Sequence, residues 1–147
     1  MVVLIVIGLC AGLAYARYDA SPRQAIDGEA REFAAALEHA AQLAQWRSET
    51  VGVSAEGASY RFWQRGADDR WAPITDDDVL RARALANGVS IAAREYAGQA
   101  VASDVIVPLR PSGRNEPFVF ELISAEWRVD LSSDALNRTL IAGPVAR

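Results

Sequence analysis

The chain has 147 residues, of which 51% are hydrophobic and 23% charged, and its net charge at neutral pH is −4. This length and composition favour one globular domain plus a separate apolar segment, and they are too small for two full domains. The acidic balance argues against general nucleic-acid binding, which needs clustered cationic side chains. The single cysteine, Cys10, excludes an intramolecular disulfide.

The chain opens with the apolar run MVVLIVIGLCAGLAYARY, in which Arg17 is the first charged residue. Three interpretations are open: a signal peptide, a transmembrane helix, or the middle of a longer targeting segment. Ala14-Tyr15-Ala16 fits a signal-peptide cleavage site, but no basic residue precedes the run. As a helix, residues 1–16 would rise about 24 Å, against about 30 Å for a bilayer core. Both shortfalls lie at the N-terminal edge, so we expect the natural chain to begin upstream of Met1.

An amphipathic helix follows the apolar run. Ser21 has the position of an N-cap, Pro22 that of the first helical residue, and Gln24 completes a capping box. Apolar residues then recur in steps of four and three, and the pattern predicts a helix to about Ser48. Pro22 could equally kink a helix that continues from Met1. The apolar positions are Ile26, Ala30, Phe33, Leu37, Ala40 and Ala44.

The helical period disappears at Val51, and strand patterns replace it. A hairpin is predicted around Glu56-Gly57-Ala58-Ser59, and a second around Asn87-Gly88, a favoured hairpin turn. We predict an antiparallel β domain over residues 51–147 that packs on the apolar face of the preceding helix over residues 21–50. The order of its strands stays open. The predicted strands are Val51–Val53, Tyr60–Trp63, Val79–Leu85, Val89–Tyr96, Asp104–Leu109, Phe118–Ile123 and Glu126–Leu131.

Residues for catalysis are scarce in this sequence. Its one histidine, His39, lies in mid-helix, so a zinc site built on a histidine pair is impossible and no G-x-S-x-G elbow offers a serine. No phosphate-binding glycine motif is present. We therefore predict no enzyme activity, no catalytic residue, no metal and no cofactor, and we interpret His39 as a helix-surface or interface residue.

Three other clusters have structural interpretations. The aspartates at 68–69 and 76–78 lack the spacing of a calcium loop and are typical of solvated loops. The aromatic residues around Arg61 could stack on single-stranded nucleic acid, but core packing explains most of them more simply, and the leftover rings hint at an interface. The segment Pro111–Pro117 is predicted to be a turn-rich loop in which Gly113 supports a positive φ.

The order of these parts resembles that of the type IV pilin-like proteins. The run MVVLIVIGL is similar to the stretch that follows their Gly-Phe cleavage site. Within that group, the segments YRFWQRGADDRWAPITDDDVLRARAL, LRPSGRNEPFVFEL and VDLSSDALNR resemble the GspH/FimT family of minor pseudopilins and pilins. The resemblance implies an α+β fold in which a long N-terminal helix packs on an antiparallel β-sheet domain.

The resemblance also implies a structural role in type II secretion. Residues 1–20 would anchor the chain in the bacterial inner membrane by a single pass and later form the filament core, with the β domain in the periplasm. Other pseudopilins, both the major one and those at the tip, would be its partners, and no nucleic acid is expected. The implied core residues are Val2, Val3, Leu4, Ile5, Val6, Ile7, Leu9 and Leu13, while Ile26, Phe33, Leu37 and Ala44 would face the β domain.

Two alternatives stay open at this stage. One is a minor pilin of the FimT/FimU type, in a pilus used for adhesion or DNA uptake. The other is a soluble periplasmic binding domain released by cleavage after Ala16. The family's Gly-Phe cleavage site and its N-methylation have no counterpart within this chain, and neither does the glutamate that would sit just upstream of Met1.

Overall fold

The computed structural model describes residues 21–147, so residues 1–20 and the predictions made for them lie outside the described part. Within residues 21–147, one long helix, α1 (Pro22–Arg47), precedes ten strands. The strands are β1 (Val51–Glu56), β2 (Ser59–Arg65), β3 (Trp71–Pro73), β4 (Arg83–Ala84), β5 (Ser90–Tyr96), β6 (Gln99–Ala100), β7 (Val107–Leu109), β8 (Phe118–Ile123), β9 (Trp127–Ser133) and β10 (Thr139–Ala146).

Helix α1 begins where the sequence predicts. Ser21 Oγ accepts the Gln24 N–H at 3.2 Å, and Gln24 Oε1 accepts the Ser21 N–H at 3.3 Å, which completes the capping box. At the other end Ser48 adopts the left-handed conformation, and its N–H donates to carbonyls of the last turn. The helix has 26 residues and is therefore about 39 Å long.

The strands form two antiparallel sheets. Sheet A has the order β3-β2-β1-β7, with β4 also paired to β2, and sheet B has the order β10-β9-β8-β5-β6. The hairpin predicted around Gly57 is confirmed, since β1 and β2 pair from Glu56 opposite Ser59 to Val51 opposite Gln64. Helix α1 packs across both sheets, and the predicted α+β class is confirmed.

The core joins all three layers at Phe33. Its ring centroid lies 4.7 Å from that of Tyr60 in sheet A and 5.2 Å from that of Phe120 in sheet B. All three side chains are buried. One residue of α1 thus contacts both sheets, and tilted and edge-on aromatic pairs of this kind add to the free energy gained by burying the rings.

The second predicted hairpin is wrong. Asn87-Gly88 does form a turn, but β4 pairs with β2 while β5 pairs with β8 and β6, so the turn links two sheets. The predicted strand Val79–Leu85 shrinks to the two residues of β4. Its first part is a loop because Asp77 Oδ1 accepts the N–H groups of Val79 and Leu80, which turns the chain and buries Leu80.

Other strands also differ from the sequence interpretation: β1, β2 and β9 are longer than predicted, and β3 and β6 were not predicted. The strand predicted over Asp104–Leu109 begins only at Val107, where pairing with Val53 starts. Strand β10 was not predicted at all, because Gly143-Pro144 reads as a strand break in sequence. An edge strand tolerates a proline whose missing N–H faces away from the ladder, and β10 is an edge strand with a register shift at this point.

Replacing Phe33 by alanine should destabilise the protein strongly, because it leaves a cavity where α1 meets both sheets. We expect a loss of about 3–5 kcal/mol in the free energy of unfolding. The measurement is urea unfolding of the detergent-solubilised full chain. Gln42→Ala, on the exposed side of the same helix, is the control and should change stability by less than about 0.5 kcal/mol. Equal effects of the two substitutions would contradict this packing.

Candidate assembly surface

One face of α1 packs against the core. Ile26, Phe33, Leu37 and Ala44 are all buried against the two sheets. This orientation fixes which side of the helix is left for other contacts. The residues expected to form a membrane or filament-core helix, Val2, Val3, Leu4, Ile5, Val6, Ile7, Leu9 and Leu13, lie outside the described residues. Within residues 21–147, no helix is both long and apolar enough to cross a bilayer.

The opposite side of α1 carries a narrow uncharged stripe. Gly28, Ala35, Gln42 and Trp46 are all exposed, and steps of seven, seven and four residues keep them in one line along the helix. We call these four residues the outer stripe. Two of them are small, so another helix could approach the backbone closely along most of this line. The stripe is therefore shaped for helix packing.

Charged pairs border the outer stripe on both sides. Arg31 Nε lies 3.0 Å from Asp27 Oδ2 on one side. On the other side Glu32 pairs with Arg83 of β4. These ions are paired within the chain, whereas Glu38, three residues after Ala35, is exposed and adds a negative charge at the edge of the stripe. Exposed pairs of this kind contribute little to stability.

Trp46 is the most prominent residue of the stripe. It is 90% exposed, and with His39, Gln42 and Leu43 it lines a shallow groove of about 190 Å³. Leaving a tryptophan in water forgoes a large hydrophobic gain, and tryptophan is enriched among residues that dominate binding energy. Sequence reasoning missed this residue. The signal was present, because a large aromatic two residues beyond Ala44 lies out of phase with the buried face.

The loop that contains the aspartates at 76–78, which we call the acidic loop, lies beside this groove and is attached to α1. Asp77 Oδ2 lies 2.9 Å from His39 Nε2, and Asp76 Oδ2 accepts a hydrogen bond from Arg47 Nη2 at 3.3 Å. His39 is therefore a partly exposed helix-surface residue that helps to hold the loop. Burial alone would raise the pKa of Asp77, but hydrogen bonds from His39 and from the N–H groups of Leu80 and Val79 outweigh it and lower the pKa.

The other acidic pair is also used within the chain. Asp68 and Asp69 lie in the turn between β2 and β3. Asp69 Oδ1 lies 2.8 Å from Arg65 Nε, and Asp68 Oδ2 lies 3.7 Å from Arg70 Nε. In the part of the chain that the structure describes, no three histidine, cysteine or acidic side chains converge so as to hold a metal ion. These carboxylates act as partners for arginines and for turn amides.

The aromatic residues near Arg61 are buried or partly buried by their own chain. Tyr60 and Phe62 are in the core. Trp63 donates its indole N–H to Ser54 Oγ at 2.8 Å, and Arg61 stacks over its ring. Trp71 lies over Gly52, where an added Cβ would come within 2.8 Å of the ring. Trp46 is therefore a better candidate for an interface than the aromatic residues near Arg61.

The loop of residues 111–117 is tied to the turn before β10. Asn115 is buried, its Oδ1 accepts the Arg110 N–H at 2.6 Å, and its amide donates to Asn137. Asn137 in turn donates to the Gly113 carbonyl at 3.2 Å, and Gly113 has the predicted positive φ of 73°. Two of the segments that carried the family resemblance thus meet in space, although neither contains a reactive group.

This architecture, a capped N-terminal helix laid across antiparallel sheets, is the type IV pilin-like fold. Residues 29–135 match the family described as "Type II transport protein GspH". The chain belongs to the GspH family. No curated protein shows a significant sequence match.

Solved structures support the same fold at low sequence identity. The minor pseudopilin EpsH from the type 2 secretion system of Vibrio cholerae matches with a TM-score of 0.66 and 16% identity, over 82% of this chain and 98% of that one. Escherichia coli GspH matches with a TM-score of 0.59 and 20% identity, over 78% and 85%. The type IV minor pilin FimU of Pseudomonas aeruginosa matches with a TM-score of 0.58 and 14% identity, over 83% and 92%.

Replacing Asp77 by asparagine tests how the acidic loop is held. Because the folded-state pKa of Asp77 lies below its unfolded value of about 3.9, its stabilisation is present above that value and lost as pH falls through the folded-state pKa. The Asp77→Asn variant should therefore have a lower thermal midpoint than the wild type at pH 7. The difference between the two midpoints should become small near pH 3. The measurement is the thermal midpoint across this range. Asp78→Asn, whose carboxylate is exposed, should keep the wild-type acid slope.

Proposed function

We propose that this protein is a minor pseudopilin, a structural subunit of the type II secretion pseudopilus that helps to export folded proteins across the outer membrane. The observation that carries the proposal is the GspH family match over residues 29–135. The fold agrees with that role because α1 can hold the β domain on one face and meet neighbouring subunits with the other. No part of this role requires a catalytic group or a cofactor.

Residues 1–20 would anchor the chain in the inner membrane, with the β domain in the periplasm. In the assembled filament the same segment would pack among the helices of other subunits, since an all-apolar helix suits lipid and helix neighbours equally. Helix α1 begins at Pro22, directly after residues 1–20, so the outer stripe would be available to the same neighbouring subunits. The partners would be the major pseudopilin and the minor pseudopilins of the tip.

A minor pilin of the FimU type is the second candidate, because FimU has the same fold. Both candidates have the same fold. They differ in what stops when the gene is deleted: exoprotein release in a secretion system, or adhesion and DNA uptake in a pilus system. The net charge of −4 weighs against direct DNA binding by this subunit.

The N-terminus of the protein purified from the cells that produce it tests the pathway directly. Mass spectrometry should find a mature chain whose first residue is a methylated phenylalanine, the product of prepilin processing. This result is expected for both the pseudopilin and the pilin candidate. A mature chain that begins at Arg17 would mean ordinary signal-peptide cleavage, and both candidates would then be wrong.

Replacing Trp46 by alanine tests the outer stripe. If Trp46 packs against a neighbouring subunit, its loss should cost more than about 1.4 kcal/mol of association and reduce recovery of that subunit by about tenfold. The measurement is quantitative co-purification of pilin-like subunits with the tagged full chain. Gln99→Ala, an exposed and uncharged change in β6 away from α1, is the control and should leave recovery unchanged. Wild-type recovery with Trp46→Ala would exclude Trp46 from the interface.

A further inference from the structure

The edge strands of the two sheets differ greatly in length. In the described part of the chain, the edge strands β3 and β7 have three residues each, and β4 and β6 have two. Strand β10 is the edge of sheet B and has eight residues. Short edge strands are one way in which proteins prevent unwanted strand pairing. Strand β10 lacks this protection.

The two halves of β10 differ in how open they are. The second half has a register shift between Ala142 and Val145 and contains Pro144, two features that obstruct pairing. The first half, Thr139–Ala142, pairs regularly with β9 and has no charged residue and no proline. Leu140 within it is 68% exposed, and Leu136 in the preceding turn is 66% exposed. The open half is therefore uncharged and apolar.

The backbone of this half presents free hydrogen-bonding groups. The Asp134 N–H donates to the Arg138 carbonyl at 3.1 Å, so residues 134 and 138 form a hydrogen-bonded pair. Such pairs alternate along an antiparallel ladder, so Leu140 and Ala142 also bond to β9. Thr139 and Ile141 then direct their N–H and C=O groups away from β9. Within residues 21–147, no other element supplies a backbone partner for them.

We propose that the first half of β10 receives an extended strand of a neighbouring pilin-like subunit, which adds a sixth strand to sheet B. Addition of a strand to a sheet edge satisfies alternate backbone groups and gives specificity through alternate side chains. The added strand would be uncharged opposite Thr139–Ala142 and would cover Leu140 with an aliphatic side chain. The charge of Arg138 at this edge is paired within the chain, because Arg138 Nε lies 2.6 Å from Asp134 Oδ2.

The position of β10 favours a filament neighbour as the source of this strand, an inference that rests on the proposed function. Gly143 and Pro144 of β10 line a groove of about 580 Å³ together with Arg23, Asp27 and Arg31 of α1. The second half of β10 therefore borders the flank of α1 next to the outer stripe, and Thr139–Ala142 lie directly before it in the strand. A subunit packed along that helix would bring its own β domain beside β10.

Residue-resolved hydrogen exchange on the full-length chain in detergent tests the proposal. The chain is measured alone and in complex with the pilin-like subunit that co-purifies with it. We expect exchange of the Thr139 and Ile141 amides to slow at least about tenfold in the complex, while the Leu140 and Ala142 amides, already bonded to β9, change little. This alternation is specific to strand pairing, since general shielding would slow all four amides.

Two substitutions at one position provide a matched pair. Thr139→Pro removes an outward N–H that the β9 ladder does not use, and it should reduce recovery of the partner subunit about tenfold. Thr139→Val keeps the N–H and the β-branched shape, and it should leave recovery unchanged. The thermal midpoint of Thr139→Pro checks that it folds, and if it does not, the exchange measurement on the wild type decides.

The remaining outcomes overturn the proposal in distinguishable ways. A complex in which the Thr139 and Ile141 amides exchange as fast as in the free chain would exclude strand addition and leave the proposed function intact. Slowing that depends on the concentration of the chain alone would identify a second copy as the occupant and exclude a different subunit. Failure of any pilin-like subunit to co-purify with the wild type would remove the proposed function and this proposal together.

Discussion

The packing of Phe33 between Tyr60 and Phe120 is the contact on which the rest of the structure depends. It joins α1 to both sheets at one point, and the ring distances of 4.7 and 5.2 Å leave no room for the helix to rotate about its axis without losing one of the pairs. Fixing that rotation determines which residues of α1 face outward. The uncharged outer stripe and the exposed Trp46 are consequences of how the buried face is held.

Polar contacts then fix the segments that the core does not reach. Asp76 and Asp77 hold the loop before β4 against α1, and Asn115 and Asn137 join the loop before β8 to the turn before β10. These residues look like candidates for ion binding or for free loops when they are seen in sequence. In the structure they bond to arginines, to a histidine, to amides and to each other, so they support the shape of the domain.

Membership of the GspH family and the pilin-like fold agree with a protein whose function lies in its surfaces. The surfaces that the described residues offer are of two kinds: a helix stripe with small residues and one exposed tryptophan, and a sheet edge with free backbone groups. Both lie on or beside α1, so a neighbour packed along the helix could contact them at once. Several modest contacts that act together can hold a subunit in a filament although each alone is weak.

The sequence by itself determined the helix start and its buried face, because capping and a period of 3.6 residues are local properties that Ser21, Gln24 and Phe33 express without help from the rest of the chain. It also determined the hairpin at Gly57 and the strand Phe118–Ile123, where alternation and turn residues coincide. Only the tertiary structure decided that Asn87-Gly88 links two sheets, that Val79 lies in a loop and that Gly143-Pro144 lies inside a strand. In the first two cases the deciding partner is distant in sequence, since β2 pairs with β4 and β8 with β5. In the third case β10 pairs with its sequence neighbour β9, and its place at the edge of the sheet allows Pro144 within the strand. The exposure of Trp46 was decided in the same way, because it depends on which face of α1 the two sheets cover.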